Sequence, residues 1–191
     1  MRPQLKTLAL ASVFCYHKIM SDSKSKLIVF AGKPGVGKTT IIQRLFKNAT
    51  IVDVQTFVMV HVDEFPIVPK EKNIFGYKAM YKHIATLKKS VVVVEIGTSH
   101  PGFNIRQLEK LQNRYKISLF LCDASVETCR IRSLARKLNF DGKWIESRLQ
   151  RNFPGSFLNI LKDTNLDYKI INTEGNLKKV VKNINILEMT C

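Results

Sequence analysis

At 191 residues the chain has room for one good-sized domain and little for a second. Apolar residues make up 45% and charged ones 24%, ordinary for a globular protein, but Lys and Arg number 31 against 15 Asp and Glu, a formal net charge of +16. Such a chain attracts anions, whether nucleotides, nucleic acid or acidic lipid surfaces, and charge alone does not choose between these and a merely solvated basic surface. The four cysteines, at 15, 122, 129 and 191, show no C-x-x-C spacing and no His at zinc-finger distance. A metal site or disulfide framework is therefore not expected, and free, mostly buried thiols suit a reducing, cytoplasmic setting.

In chain order, Arg2 and Lys6 precede an apolar run from Leu8 to Tyr16 that is too short to span a bilayer. No small-x-small cleavage site follows cleanly, and Met20 opens a polar stretch of the kind that starts soluble proteins. Residues 1–25 read as a leader, disordered or begun at too early a start, with targeting as the alternative; residues 26–191 read as one domain. From Lys26 short apolar runs alternate with amphipathic stretches, the pattern of βαβ units on a parallel sheet. Strands are predicted at Leu27–Ala31, from Thr50 to near Asp53, and at Val91–Ile96, Ile117–Cys122 and Tyr168–Ile171. The run Val54–Val62 is ambiguous between strand and helix. Helices are predicted over Gly37–Lys47, Ile74–Lys88, Ile105–Tyr115, Val126–Leu138 and Leu177–Leu187, with Arg148 and Arg151 on a further helix. Tyr77, Met80, Ile84 and Leu87 share one face of the second, and Asp123 and Ser125 are capping candidates for the fourth.

The chemistry concentrates at the end of the first strand. Gly32-Lys33-Pro34-Gly35-Val36-Gly37-Lys38-Thr39 is a G-x-x-x-x-G-K-T loop between a strand and a helix, followed by Thr40. Glycines allow the backbone to wrap a β-phosphate closely, successive N–H groups point inward, and the helix start adds its positive dipole end. Lys38 would meet the β- and γ-phosphates and Thr39 would give its hydroxyl to Mg²⁺, so the loop binds the phosphates of a nucleoside triphosphate.

Glu95 ends the apolar strand that begins Val91-Val-Val-Val94, and a carboxylate there lies at the crevice where ligands bind in parallel sheets. It reads either as a second carboxylate for Mg²⁺, through water, or as an acid paired with a Lys or Arg. Transfer to an alcohol needs a carboxylate that orients the hydroxyl and takes its proton. Asp53 is the first candidate and Asp63 the second; either can equally be a solvated loop acid. Arg132 and Arg136 stand four apart on one helix face and are candidates for neutralising a phosphoryl group in flight, against the plainer reading of a solvated basic face. Arg148 and Arg151 form a second such pair. The loop Ile171-Asn-Thr-Glu-Gly175 is either a base contact or a turn capping the last helix; His61, His83 and His100 show no ligand spacing, and Trp144 reads as a packing residue.

With these residues in place, the chain resembles the P-loop small-molecule and nucleotide kinases, the group containing adenylate kinase and the zeta-toxin-like kinases. The resemblance covers roughly Lys26 to Leu187. It rests on residues 32–40, the acid after the second strand, Val-Val-Glu-Ile-Gly at 93–97 and Asp-Ala-Ser-Val-Glu-Thr-Cys-Arg-Ile-Arg at 123–132. It implies a P-loop NTPase fold of the α/β class: a five-stranded parallel sheet flanked by helices on both faces, with a short helical lid at about 130–155. It also implies ATP and Mg²⁺ as cofactors and a small-molecule or nucleotide acceptor opposite the P-loop. The Asp-Gly-x-Pro-Arg segment of adenylate-kinase-type enzymes is absent, and Glu95-Ile-Gly-Thr-Ser-His-Pro stands in its place.

Rival P-loop classes fit less well. No Asn-Lys-x-Asp guanine-reading motif occurs, and the length for the further helical domain a motor would need is missing. Two alternatives stay open: a nucleic-acid-binding protein or polynucleotide 5′-hydroxyl kinase, motivated by the charge of +16 although no RNA-binding aromatic motif is visible, and a regulatory ATP-binding protein. No stable membrane insertion is expected, and a monomer or dimer is.

Overall fold

Strands whose residues are apolar on both sides of the pleat need cover on both faces, and parallel strands need crossovers long enough to hold a helix. The computed structural model describes residues 24–59, 70–135, 142–152 and 154–184. Its elements run β1 (Ser25–Ala31), α1 (Lys38–Leu45), β2 (Thr50–Asp53), α2 (Val54–Met59), α3 (Lys70–Thr86), β3 (Val91–Ile96), α4 (Pro101–Leu111), β4 (Tyr115–Asp123), α5 (Val126–Ala135), α6 (Gly142–Gln150), α7 (Pro154–Lys162), β5 (Asp167–Asn172) and α8 (Leu177–Asn183). The five strands form one sheet in the order β2-β3-β1-β4-β5, and every neighbouring pair is parallel. The P-loop strand β1 thus sits at the centre, with β3 on one side and β4 on the other.

Alternate residues feed two cores. Leu27, Val29, Val92, Val94, Leu119 and Leu121 pack with Met80 and Ile84 of α3, Ile105 and Leu108 of α4, and Phe157 and Leu161 of α7. Ile28, Phe30, Val93, Phe120 and Cys122 pack on the other face with Ile41 and Ile42 of α1, Cys129 of α5, and Ile145 and Leu149 of α6. Phe30 stacks on Phe120 with centroids 5.3 Å apart and meets Phe46 edge-on at 6.0 Å, so the second core is anchored by aromatic contact beneath the P-loop. Replacing a fully buried residue such as Met80 or Leu108 by Ala would cost about 2–5 kcal/mol.

The sheet is the predicted one, with β2 and β3 at their predicted bounds and the others longer by one or two residues at an end. Helix α4 is shifted from the expected 105–115. Pro101, pre-set in φ, starts it four residues earlier. Tyr115 instead opens β4, where its hydroxyl donates to the carbonyls of Ile84 and Leu87 at 2.8 and 3.1 Å. The ambiguous run after β2 begins as helix α2, and α7, which Pro154-Gly155 hides in the sequence, was not expected. Residues 60–69 lie outside the described residues, Asp63 and His61 among them, as do the leader to residue 23 and Arg136. Among the described residues no helix is long and apolar enough to cross a membrane.

Candidate functional site

The loop between β1 and α1 takes its shape from close approach as much as from backbone freedom. Gly35 has φ of 75°, and a Cβ there would stand 2.2 Å from the carbonyl oxygen of Cys129 and 2.5 Å from Ser133 Oγ. A Cβ on Gly32 would meet the Cys122 carbonyl at 2.6 Å. The loop is therefore pressed between the end of β4 and helix α5, and only glycine fits at these two positions. The Val36 N–H donates to the Lys33 carbonyl at 3.4 Å, and Lys33 Nζ reaches the Ala124 carbonyl at the same distance.

Lys38 is buried. Its ammonium donates to the carbonyls of Gly32 and Lys33, both at 3.0 Å, and lies 3.6 Å from Glu95 Oε1. Thr39 Oγ1 donates to the same carboxylate, 2.9 Å from Oε2 and 3.1 Å from Oε1. This follows from topology: β3 is the direct neighbour of β1, with Glu95 in register with Phe30, so its carboxylate emerges beside the first turn of α1. The pair fits Mg²⁺, which takes oxygen ligands from a hydroxyl and one carboxylate and keeps several waters. Among the described residues no group of three or more His, Cys, Asp or Glu side chains could hold a metal by itself.

Asp53 ends β2 in register with Glu95 on β3, which puts two carboxylates side by side at the same end of the sheet. One Asp53 oxygen accepts the Gln55 N–H at 2.9 Å. Burial pushes its pKa up from the ordinary value; the Gln55 N–H opposes this, the Glu95 charge adds to it, and Lys38 and Arg148 lower it. Burial acts on Arg148, on α6, in the opposite direction and draws it below the usual guanidinium value, while Tyr77 and Asp53 counter that.

A buried polar network holds the loop after β3. The Gly97 N–H donates to Tyr77 Oη at 3.1 Å, and the Thr98 N–H donates to Asn152 Oδ1 at 2.8 Å. Asn152 Nδ2 donates in turn to the Arg148 carbonyl at 2.6 Å, tying α6 to the loop. Tyr81 Oη donates to Asn104 Oδ1 at 3.1 Å, while Asn73 and His100 meet at 3.3 Å. Thr98 and Asn104 are fully buried, and each has its partner. No sequence spacing announces this network, because its hydrogen-bonded partners stand up to 54 residues apart.

Of the first pair of arginines expected near a phosphoryl group, Arg136 lies outside the described residues and Arg132 is held by backbone carbonyls. Arg132 donates to the carbonyls of Thr173 at 2.8 Å, Gly175 at 2.6 Å and Val36 at 3.4 Å. Its planar fork of donors thus ties the P-loop to the loop after β5. Arg130 binds Glu127 and Glu146, which raises its pKa and joins α5 to α6. The loop after β5 resolves as a cap. Glu174 accepts the Thr128 hydroxyl at 2.6 Å and the Ser125 N–H, which lower its pKa, and Asn176 Oδ1 accepts the Lys178 N–H at 2.9 Å to start α8. Cys122 and Cys129 are free and buried, and burial pushes the Cys122 thiol up to about 12. They are inert core residues.

A P-loop at the head of a central strand, the Thr39–Glu95 pair beside it and this strand order define a nucleotide-binding P-loop protein with a kinase-like fold. Solved structures with that fold are similar to it: a gluconokinase from Sinorhizobium meliloti 1021 at 13% identity and a TM-score of 0.59, covering 84% of this chain and 89% of that one. A shikimate kinase from Bacteroides thetaiotaomicron follows at 15% and 0.58 (85% and 98%), and a sugar kinase from Janibacter sp. HTCC2649 at 10% and 0.56 (83% and 91%). At such identities the likeness shows the fold. No curated protein matches the chain. The family model of the viral superfamily 1 RNA helicase core domain matches residues 28–124, just over half of the chain, and the chain belongs to that family. The matched stretch runs from β1 to the residue after β4, the P-loop core, and stops before α5.

Proposed function

We propose that this chain is a kinase that transfers the γ-phosphoryl group of Mg-ATP to a hydroxyl of a small-molecule or nucleotide acceptor. The observation that carries the reading is the register of Asp53 with Glu95. One carboxylate accepts the Thr39 hydroxyl on the donor side, and its neighbour stands free of that contact on the side an acceptor would enter. The N–H groups of residues 35–39 cradle the phosphates, and Lys38 gives its ammonium to the β- and γ-phosphates. Thr39 and Glu95 would hold Mg²⁺, which when bound would supply positive charge against the phosphate oxygens. Asp53 orients the acceptor hydroxyl and takes its proton as the oxygen attacks phosphorus; a carboxylate raised by burial is a better base than an exposed one.

Arg148, which couples electrostatically to Asp53, is the cation on the acceptor side. Arg132 is a positioning residue, because its hydrogen bonds go to carbonyls of the P-loop and the loop after β5. Buried free thiols suit the cytoplasm, where we place the protein.

A second reading takes a polynucleotide 5′-hydroxyl as the acceptor, favoured by the family match at 28–124 and the net charge of +16. The test is a transfer screen with γ-labelled ATP across nucleosides, nucleotides, sugars and RNA ends. Label on a small acceptor supports the first reading and label on an RNA end the second. Nucleotide binding with no labelled product across the panel leaves a regulatory ATP-binding protein and removes both.

A further inference from the structure

In a sheet whose strands are all parallel, every strand begins at the end away from the P-loop. On the three central strands that end is built from residues 24–26, 87–91 and 112–117, which carry Lys24, Lys26, Lys88, Lys89, Arg114 and Lys116 and no Asp or Glu. Strands β3, β1 and β4 are direct neighbours, about 4.8 Å apart. Lys26 is in direct register with Lys116, so two like charges face the same side of adjacent strands, an arrangement that disfavours folding.

Basic residues often collect at helix C-termini, where they serve the free carbonyls and the dipole. That accounts for Arg114, which donates to the Leu87 carbonyl at 2.7 Å and to that of Ala85. It does not account for the lysines after α3. Tyr115 Oη takes the carbonyls of Ile84 and Leu87, and Thr86 Oγ1 takes that of His83 at 2.7 Å, so the end of α3 is already capped. Lys88 and Lys89 are exposed, and with Lys26 they enter no ion pair among the described residues. Lys24 is fixed by donating to the Gln112 carbonyl at 3.0 Å, which sets it beside the start of β4. Asp22, two residues before Lys24, lies outside the described residues; among the described ones Glu109 stands at the end of α4, Asp163 just after α7 and Asp167 at the start of β5, which pairs with β4.

We propose that this end of the sheet is a docking surface for the phosphate backbone of a nucleic acid, separate from the phosphate site at the P-loop. A row of cations on a rigid edge, most of them exposed, matches a linear polyanion with regularly spaced charges. A membrane surface would call for apolar anchors, and none of the large exposed apolar side chains lies in these three segments. Strand β3 is six residues long, so the surface lies roughly 20 Å from the P-loop end. A strand bound there is held by the protein without entering its chemistry. The proposal is thus independent of which acceptor the crevice takes.

The test is fluorescence anisotropy with a labelled single-stranded 20-nucleotide RNA of random sequence, over a potassium chloride series. The full chain is compared with a Lys24→Gln/Lys88→Gln/Lys89→Gln variant. The parent is expected to bind with a steep salt dependence. The variant should bind at least about tenfold more weakly, with a log–log slope shallower by about 2, the loss of three contacts at ~0.7 each. Nucleotide binding and thermal midpoint should stay at parental values, because all three side chains are exposed and remote from the P-loop. Absence of RNA binding by the parent, or equal slopes for parent and variant, would overturn the proposal. So would equal affinity for polyglutamate, or lysine-dependent binding to phosphatidylserine vesicles without binding to RNA.

Discussion

Replacing Arg132 by Met keeps most of the stem and removes the guanidinium, which separates a positioning role from a catalytic one. Two of its hydrogen bonds are short, 2.6 Å to the Gly175 carbonyl and 2.8 Å to that of Thr173, and the third, to Val36, is long at 3.4 Å. A hydrogen bond to a charged group is worth about 1.5–3 kcal/mol when shielded, but these acceptors are partly exposed and water replaces the donor on mutation. Roughly 1 kcal/mol for each short bond gives about 2 kcal/mol in all. For a chain of this size that lowers Tm by about 4–8 °C, readable by differential scanning calorimetry or by circular dichroism. The P-loop loses a tie at Val36, so nucleotide affinity should fall a few-fold by isothermal titration, and kcat at saturating nucleotide should change less than affinity. An unchanged Tm together with a loss of about a hundredfold in kcat would refute the assignment and return Arg132 to the phosphoryl group.

Gly35→Ala should abolish nucleotide binding in a titration, because the new methyl meets the Cys129 carbonyl and Ser133 at a left-handed φ of 75°. A fold retained to within a few degrees would show that the loss is local. Glu95→Gln keeps the shape but removes the negative charge beside Lys38 and Thr39; turnover should fall by about a hundredfold, and a rate within a few-fold of the parent would withdraw its metal role.

Asp53→Asn should abolish transfer while leaving nucleotide affinity close to the parent's. Its sign in stability is opposite to that of most acid removals. The folded state raises this pKa, so the native chain binds the proton more tightly and stability falls as pH rises from the unfolded value through the folded one. At neutral pH that cost is fully present, and the Asn variant should melt at or above the parental temperature. In the parent the acid limb of kcat/KM should titrate above the ordinary carboxylate value; a limb at that value would contradict Asp53 as base.

The sheet was legible because residues 27–31 and 91–94 are apolar on both faces, a pattern that a covered parallel strand satisfies. The P-loop was legible because its glycines, lysine and threonine act within eight consecutive residues. Glu95 was found from its place at a strand end, a signal that depends on topology being right, and the β1–β3 adjacency supplies it. The hydrogen bonds of Arg132 were not legible, because a sequence shows where an arginine stands on a helix and not which carbonyls lack a donor around it. The Tyr77–Gly97 and Asn152–Thr98 contacts were unreadable for the same reason: each joins residues from distant elements, and a lone Tyr or Asn reads as core or loop. Helix α7 was hidden by Pro154-Gly155, a pair that breaks helices in their interior and starts this one.

The most direct test of the central claim is the fate of the γ-phosphate. Incubation of the full chain with γ-labelled ATP, Mg²⁺ and the acceptor panel should place label on one acceptor class, and that label should vanish with Asp53→Asn while nucleotide binding survives. Label found only in inorganic phosphate, or transfer unchanged by Asp53→Asn, would contradict the account.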